Sequence, residues 1–313
     1  MAVGSKKAVY AALFGNLGVA ISKFVAALFT GSAAMWAEAY HSASDTFNQV
    51  LLLFGMRTSA KAASYQHQFG YGRDLFFWSF IVATMLFGIS GILSLENGAS
   101  SLLHGNYKIE NVQISYIILV IAFGFEANAL RIALKQFTKG IRERGEKITA
   151  SSMINEFKES KDTVILTVIV EDSAALLGIA IAATGIFLSD MTGNSVYDGI
   201  ASLLIGSILM FFAFFLAKEN RGLIIGESIT AREYKRIVRS IKEIPEVNRL
   251  ITMRTMHLGL DDILIGVQVN LIDNLDTDKI ELVTDAVEQK IMEIIPKANR
   301  EHIFVEIERE RIK

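Results

Sequence analysis

The sequence predicts a membrane protein in two parts. Residues 1–222 read as an all-α domain of six transmembrane helices, and residues 223–313 as a cytoplasmic α+β domain with the ferredoxin-like order αββαβ. Three observations predict this. Of the 313 residues 51% are hydrophobic, with a mean hydropathy of +0.38, and the excess lies before Asn220. Six apolar runs in that part are long enough for a helix to cross a bilayer. From Glu227 onward the pattern changes to amphipathic helix and alternating strand.

The six spans are Ala8–Thr30, Ala33–Phe54, Leu75–Leu95, Ile114–Phe137, Thr163–Leu188 and Val196–Ala217. Only Thr30-Gly31-Ser32 separates the first two, so they form a tight hairpin. The first run is long and lacks a cleavage pattern, so it reads as a retained helix rather than a signal peptide. Basic residues alternate from loop to loop. Lys6 and Lys7 precede the first span, and Arg57, Lys61 and Arg73 follow the second. Lys135, Lys139, Arg142, Arg144, Lys147, Lys158 and Lys161 crowd the connection after the fourth, and Lys218 and Arg221 follow the sixth. The opposite loops hold little beyond Lys108, which puts both termini in the cytoplasm.

In the second part, Ala231–Ile244 carries Tyr234, Ile237, Val238 and Ile241 on one helical face. Val247–His257 and Ile263–Ile272 alternate as half-buried strands, with Gly259, Asp261 and Asp262 in the turn between them. Asp276–Ile295 has helical periodicity ended by Pro296, and Ile303–Ile307 alternates again. The net charge of −2 gives no reason to expect a nucleic-acid partner. With no cysteine, disulfides, thiolate ligands and thiol redox chemistry are excluded.

The chemistry is concentrated in the second span. Glu38, His41, Asp45 and Asn48 fall at i, i+3, i+7 and i+10 and so share one helical face. His41 and Asp45, one turn apart, can converge on one ion, and nitrogen plus oxygen suits zinc or a similar divalent transition metal. A satisfied polar pair between packed helices is the plainer alternative. In the fifth span Glu171 and Asp172 are adjacent and too costly to face lipid. Gly15, Gly18, Ala34, Ala37, Ala174, Ala175 and Gly178 allow close helix contact, which fits a site between the second and fifth spans. Asn16, Glu126, Asn128 and Asp198 read as structural before functional, and Lys23 as snorkelling or paired.

These residues resemble the cation diffusion facilitator (zinc transporter) family over nearly the whole chain. Leu28-Phe29-Thr30-Gly31-Ser32 with Glu38-Ala39-Tyr40-His41-Ser42-Ala43-Ser44-Asp45 resembles the family's first hairpin and its second-helix H-x-x-x-D. His67-Gln68-Phe69-Gly70-Tyr71-Gly72-Arg73 resembles its H-P-Y-G-Y-G-R element, with Gln68 in place of Pro. Asp198-Gly199-Ile200-Ala201-Ser202-Leu203-Leu204 resembles the start of its sixth helix. The resemblance implies a tetrahedral site holding His41, Asp45 and Asp172. The family's fourth ligand would fall on Val168, which cannot bind metal. Glu171 is the nearest substitute, and the Glu171-Asp172 pair resembles a subgroup that includes a mitochondrial zinc transporter. The alternative is that Glu171 pairs with a group such as Asn16 or Lys23.

The resemblance further implies a homodimer that works as a secondary transporter, not an enzyme. It would export Zn²⁺, or alternatively Mn²⁺, Fe²⁺, Co²⁺ or Cd²⁺, across the cell membrane by alternating access with proton exchange. In many members the cytoplasmic domains bind metal; here His257, His302, Glu306 and Glu308 are the residues available for that. A membrane-anchored metal sensor is the rival from another class, and it leaves the intramembrane carboxylates without a purpose.

Overall fold

The computed structural model describes residues 3–103, 109–143, 145, 147–159, 163–260, 262–296 and 298–308. Lys108, Arg144, Lys161 and Asp261 lie outside them, as do the side chains of Lys6, Lys7 and Lys158. The chain divides into two compact units, Met1–Gly55 with Phe77–Asn220, and Met56–Phe76 with Arg221–Lys313.

The first unit is helical. Helix α1 (Val3–Thr30) turns through Gly31 into α2 (Ala33–Ser59). Gly31 has φ +66° and donates to the Ala27 carbonyl at 2.9 Å, a left-handed turn that suits glycine. The third span comprises α3 (Asp74–Ile81), a π-helical segment (Val82–Phe87) and α4 (Gly88–Leu103). Then come α5 (Val112–Phe137), the short α6 (Lys139–Glu143) and α7 (Ala150–Glu159), α8 (Thr163–Thr192) and α9 (Val196–Ile225).

Among the described residues five helices are long and apolar enough to cross a membrane: Leu13–Thr30, Asp74–Leu103, Val112–Phe137, Ile165–Thr192 and Val196–Ile225. Helix α2 has the length, at 27 residues. Its row of Glu38, His41, Asp45 and Asn48 lowers its hydropathy, which is the difference from the six apolar spans expected.

Burial in this unit is inverted relative to a soluble fold. Phe14, Ile21 and Leu28 of α1, Phe187 of α8, and Phe211 and Phe214 of α9 face outward. Lys23, Glu38, His41, Asp45, Asn48, Glu171, Asp172 and Asp198 are buried. That distribution matches hydrocarbon outside and polar groups within. The core around them is rich in alanine (Ala26, Ala27, Ala34, Ala37, Ala122, Ala182), which lets helix axes approach closely.

Within the second unit, α10 (Ala231–Lys242), β1 (Val247–His257), β2 (Ile263–Leu271), α11 (Thr277–Ile294) and β3 (Ile303–Ile307) follow in the expected order. The sheet order is β1-β2-β3, with β1 antiparallel and β3 parallel to β2. Ile263, Ile265, Val267 and Val269 of β2 are buried at every second position. They meet Ile237 and Ile241 of α10 and Val287 and Ile291 of α11 in one core. Thr230 caps α10 in a reciprocal box with Glu233. The segment 56–76 belongs to this unit, and the Phe69 ring lies 5.4 Å from that of His302.

Candidate metal site

Helical periodicity on α2 stacks Glu38, His41, Asp45 and Asn48 in a buried row. Their exposures are 0%, 1%, 5% and 0%, so these groups are shielded from bulk solvent. His41 Nδ1 stands 3.6 Å from Asp45 Oδ1. Facing the row, α8 contributes Glu171 and Asp172, both buried. Asn48 Nδ2 donates to Glu171 Oε2 at 2.5 Å. The Asp45 carboxyl group lies within electrostatic range of Glu171 across the seam.

Asp172 is turned about 100° from Glu171 around the helix. It lies within electrostatic range of Glu171 and of Glu126 on α5. Four buried oxygens, Asp45 Oδ1, Glu171 Oε1, Asp172 Oδ2 and Asn48 Oδ1, have no hydrogen-bond partner among the described residues. Desolvated oxygens of this kind favour a proton or a metal cation. Among the described residues no group of three or more His, Asp and Glu side chains is spaced to hold a metal ion as it stands. The donors line two facing helices instead of closing on one point.

The structure therefore brings His41, Asp45 and Glu171 together and sets Asp172 beside them. Val168 packs with Ala133, Phe137, Leu166 and Ile169, on the side of α8 next to α5. Asn48, rather than Asn16 or Lys23, donates to Glu171, because the seam between α2 and α8 runs through that face. Asn48 was legible as a member of the row but not as a donor to Glu171. Lys23 is paired: its Nζ lies 2.7 Å from Glu38 Oε2, with both side chains fully buried. Asp198 proves structural, accepting from Ser32 Oγ (2.6 Å), Ala33 N (2.5 Å) and Ala34 N (3.3 Å) at the start of α2.

In the second unit, His302 Nδ1 lies 2.7 Å from Asp262 Oδ1, and Glu306 accepts from Gln268 Nε2 at 2.7 Å. His257 is buried at the end of β1, and its backbone N–H donates to the Glu227 carbonyl at 3.0 Å.

A family model described as the cation efflux transmembrane domain matches residues 9–225. The human proton-coupled zinc antiporter SLC30A9, mitochondrial, is 32% identical over 79% of this chain and 43% of its own length. Metal tolerance protein C4 of Arabidopsis thaliana is 29% identical over 82% of this chain and 54% of its own. The magnetosome protein MamB of Magnetospirillum gryphiswaldense is 22% identical over 96% and 93%. The chain thus spans about half the length of the first two relatives.

Proposed function

We propose that this chain, which belongs to the cation efflux family, carries divalent metal cations across a membrane in exchange for protons, with zinc as its main ion. One observation carries the reading: Asp45 of α2 and Glu171 of α8 are buried carboxyl groups on facing helices, flanked by His41 and Asn48. A metal ion needs the same oxygens deprotonated and the imidazole neutral, so ion and proton compete for one set of groups. His41 and Asp45 supply nitrogen and oxygen from α2, Glu171 the facing carboxylate, and Asp172 the second anion from α8. The imidazole favours zinc, while the carboxylate-rich wall also accommodates harder ions such as Mn²⁺.

Alternating access opens this site to one side at a time, and protonation of the carboxylates on the far side helps release the ion. The chain then works as a secondary transporter in the cell membrane, as a homodimer, with residues 1–222 spanning and 223–313 in the cytoplasm with the N-terminus. Similarity to the human proton-coupled zinc antiporter supports both the ion and the exchange.

Zinc flux into proteoliposomes tests the proposal. The parent chain should take up zinc, and Asp45→Ala should abolish uptake while eluting as the same folded species in gel filtration. Uptake by Asp45→Ala at the parent rate would sink the site assignment.

A further inference from the structure

The row on α2 extends beyond the residues used so far. Glu38 lies seven residues before Asp45, two helical turns, or roughly 10 Å, nearer the α1–α2 turn. On α8, Gly178 lies seven residues after Glu171, so it shares a face with it two turns further along. The seam between α2 and α8 consequently has two levels. At one, Asn48 donates to Glu171 beside Asp45. At the other, Glu38 lies against Gly178, where a Cβ would overlap Glu38 Oε1. Glycine there makes room for a carboxylate in the seam.

The cation at this second level comes from α1. Lys23 Nζ occupies Glu38 Oε2 at 2.7 Å, and both residues are fully buried. The other oxygen, Glu38 Oε1, is buried with no hydrogen-bond partner among the described residues. An ion pair inside a bundle is a poor device for stability alone, since an apolar pair of similar volume holds helices as well or better. Lys23 is also within electrostatic range of Asp45 and Glu126, so an ammonium displaced from Glu38 has other carboxylates to approach.

We propose that Glu38 is a second position for a divalent cation, next along the seam from His41 and Asp45, and that Lys23 is the resident cation an incoming ion displaces. This rests on the carrier reading above. An ion leaving Asp45 toward the α1–α2 turn passes to Glu38 while the Lys23 ammonium swings toward the carboxylates the ion has left. Transfer of this kind keeps the number of buried negative charges without a cation nearly constant, which keeps the step from being prohibitively costly.

The test uses Zn²⁺ alone, on the full-length protein, with two readouts. Equilibrium dialysis should show that Lys23→Met binds one more zinc ion per chain than the parent, and that Lys23→Met/Glu38→Gln loses the extra ion. In proteoliposomes Glu38→Gln should keep the parent zinc affinity but slow flux by about tenfold or more, a loss confined to turnover. The double variant, which leaves no unpaired buried charge, should stay equally slow. No additional zinc in Lys23→Met, or parent flux in the double variant, overturns the proposal and leaves the pair as a tie between α1 and α2. Asp45→Ala separates the two levels of inference. If it is inactive while Glu38→Gln carries zinc at the parent rate, only the second position fails. Parent flux in both variants overturns the carrier site as well.

Discussion

Asp45 and Glu171 are buried carboxyl groups on facing helices, and in the proposed site protons and metal compete for them, so acid should weaken zinc binding and alkali strengthen it. Equilibrium dialysis should show zinc affinity rising between about pH 6 and 8. An affinity that is flat across that range would refute the competition. Glu171→Gln removes the facing anion but keeps a group that Asn48 can meet. It should weaken zinc binding by about ten- to a hundredfold with little effect on folding. Unchanged zinc binding in Glu171→Gln would leave His41, Asp45 and Asp172 as the protein ligands. The half of the site on α2 was legible because i, i+4 spacing is local. Its partners were less so: that Asn48 donates to Glu171, and that Lys23 finds Glu38, depends on how α1 and α8 are rotated against α2. Periodicity on one helix carries no information about that rotation.

At the scale of the element, helix α2 has to be held in register against α8, and much of that work falls to Asp198 of α9. Its carboxylate accepts three hydrogen bonds from Ser32, Ala33 and Ala34, where the helix dipole favours an anion. Asp198→Ala strands two backbone N–H groups in a buried setting and should cost about 2–3 kcal/mol. Thermal unfolding in detergent, followed by gel filtration, would register the loss, and an unshifted midpoint would show that α2 is fixed by other contacts. Thr230→Ala, at the half-buried cap of α10, should cost only about 1 kcal/mol. The strands and helices of the second unit were legible because their burial alternates or repeats with one period throughout, as in Ile263, Ile265, Val267 and Val269. By contrast, the π-helical turn at Val82–Phe87 left no mark in an apolar run, since lipid-compatible side chains serve an α- and a π-helix alike.

At the scale of the whole molecule, the proposed exchange of protons for metal at one buried set of carboxylates couples the two gradients. Exchange of protons for zinc means that an acidic vesicle interior should drive zinc inward, and an alkaline one should oppose it. Each pH unit supplies about 1.36 kcal/mol per proton exchanged. With the membrane voltage clamped, one proton per zinc would allow about tenfold accumulation per pH unit, and two protons about a hundredfold. The accumulation ratio reached at fixed pH difference therefore reports the stoichiometry directly. His41→Asn supplies the control for which group sets the coupling. It removes the one nitrogen donor in the row, so zinc flux should persist at reduced rate, and an unchanged response to the gradient would place the coupling on the carboxylates. If zinc accumulation ignores an imposed pH difference while a zinc gradient alone drives flux, the protein is a uniporter, and the buried carboxylates take no part in proton exchange.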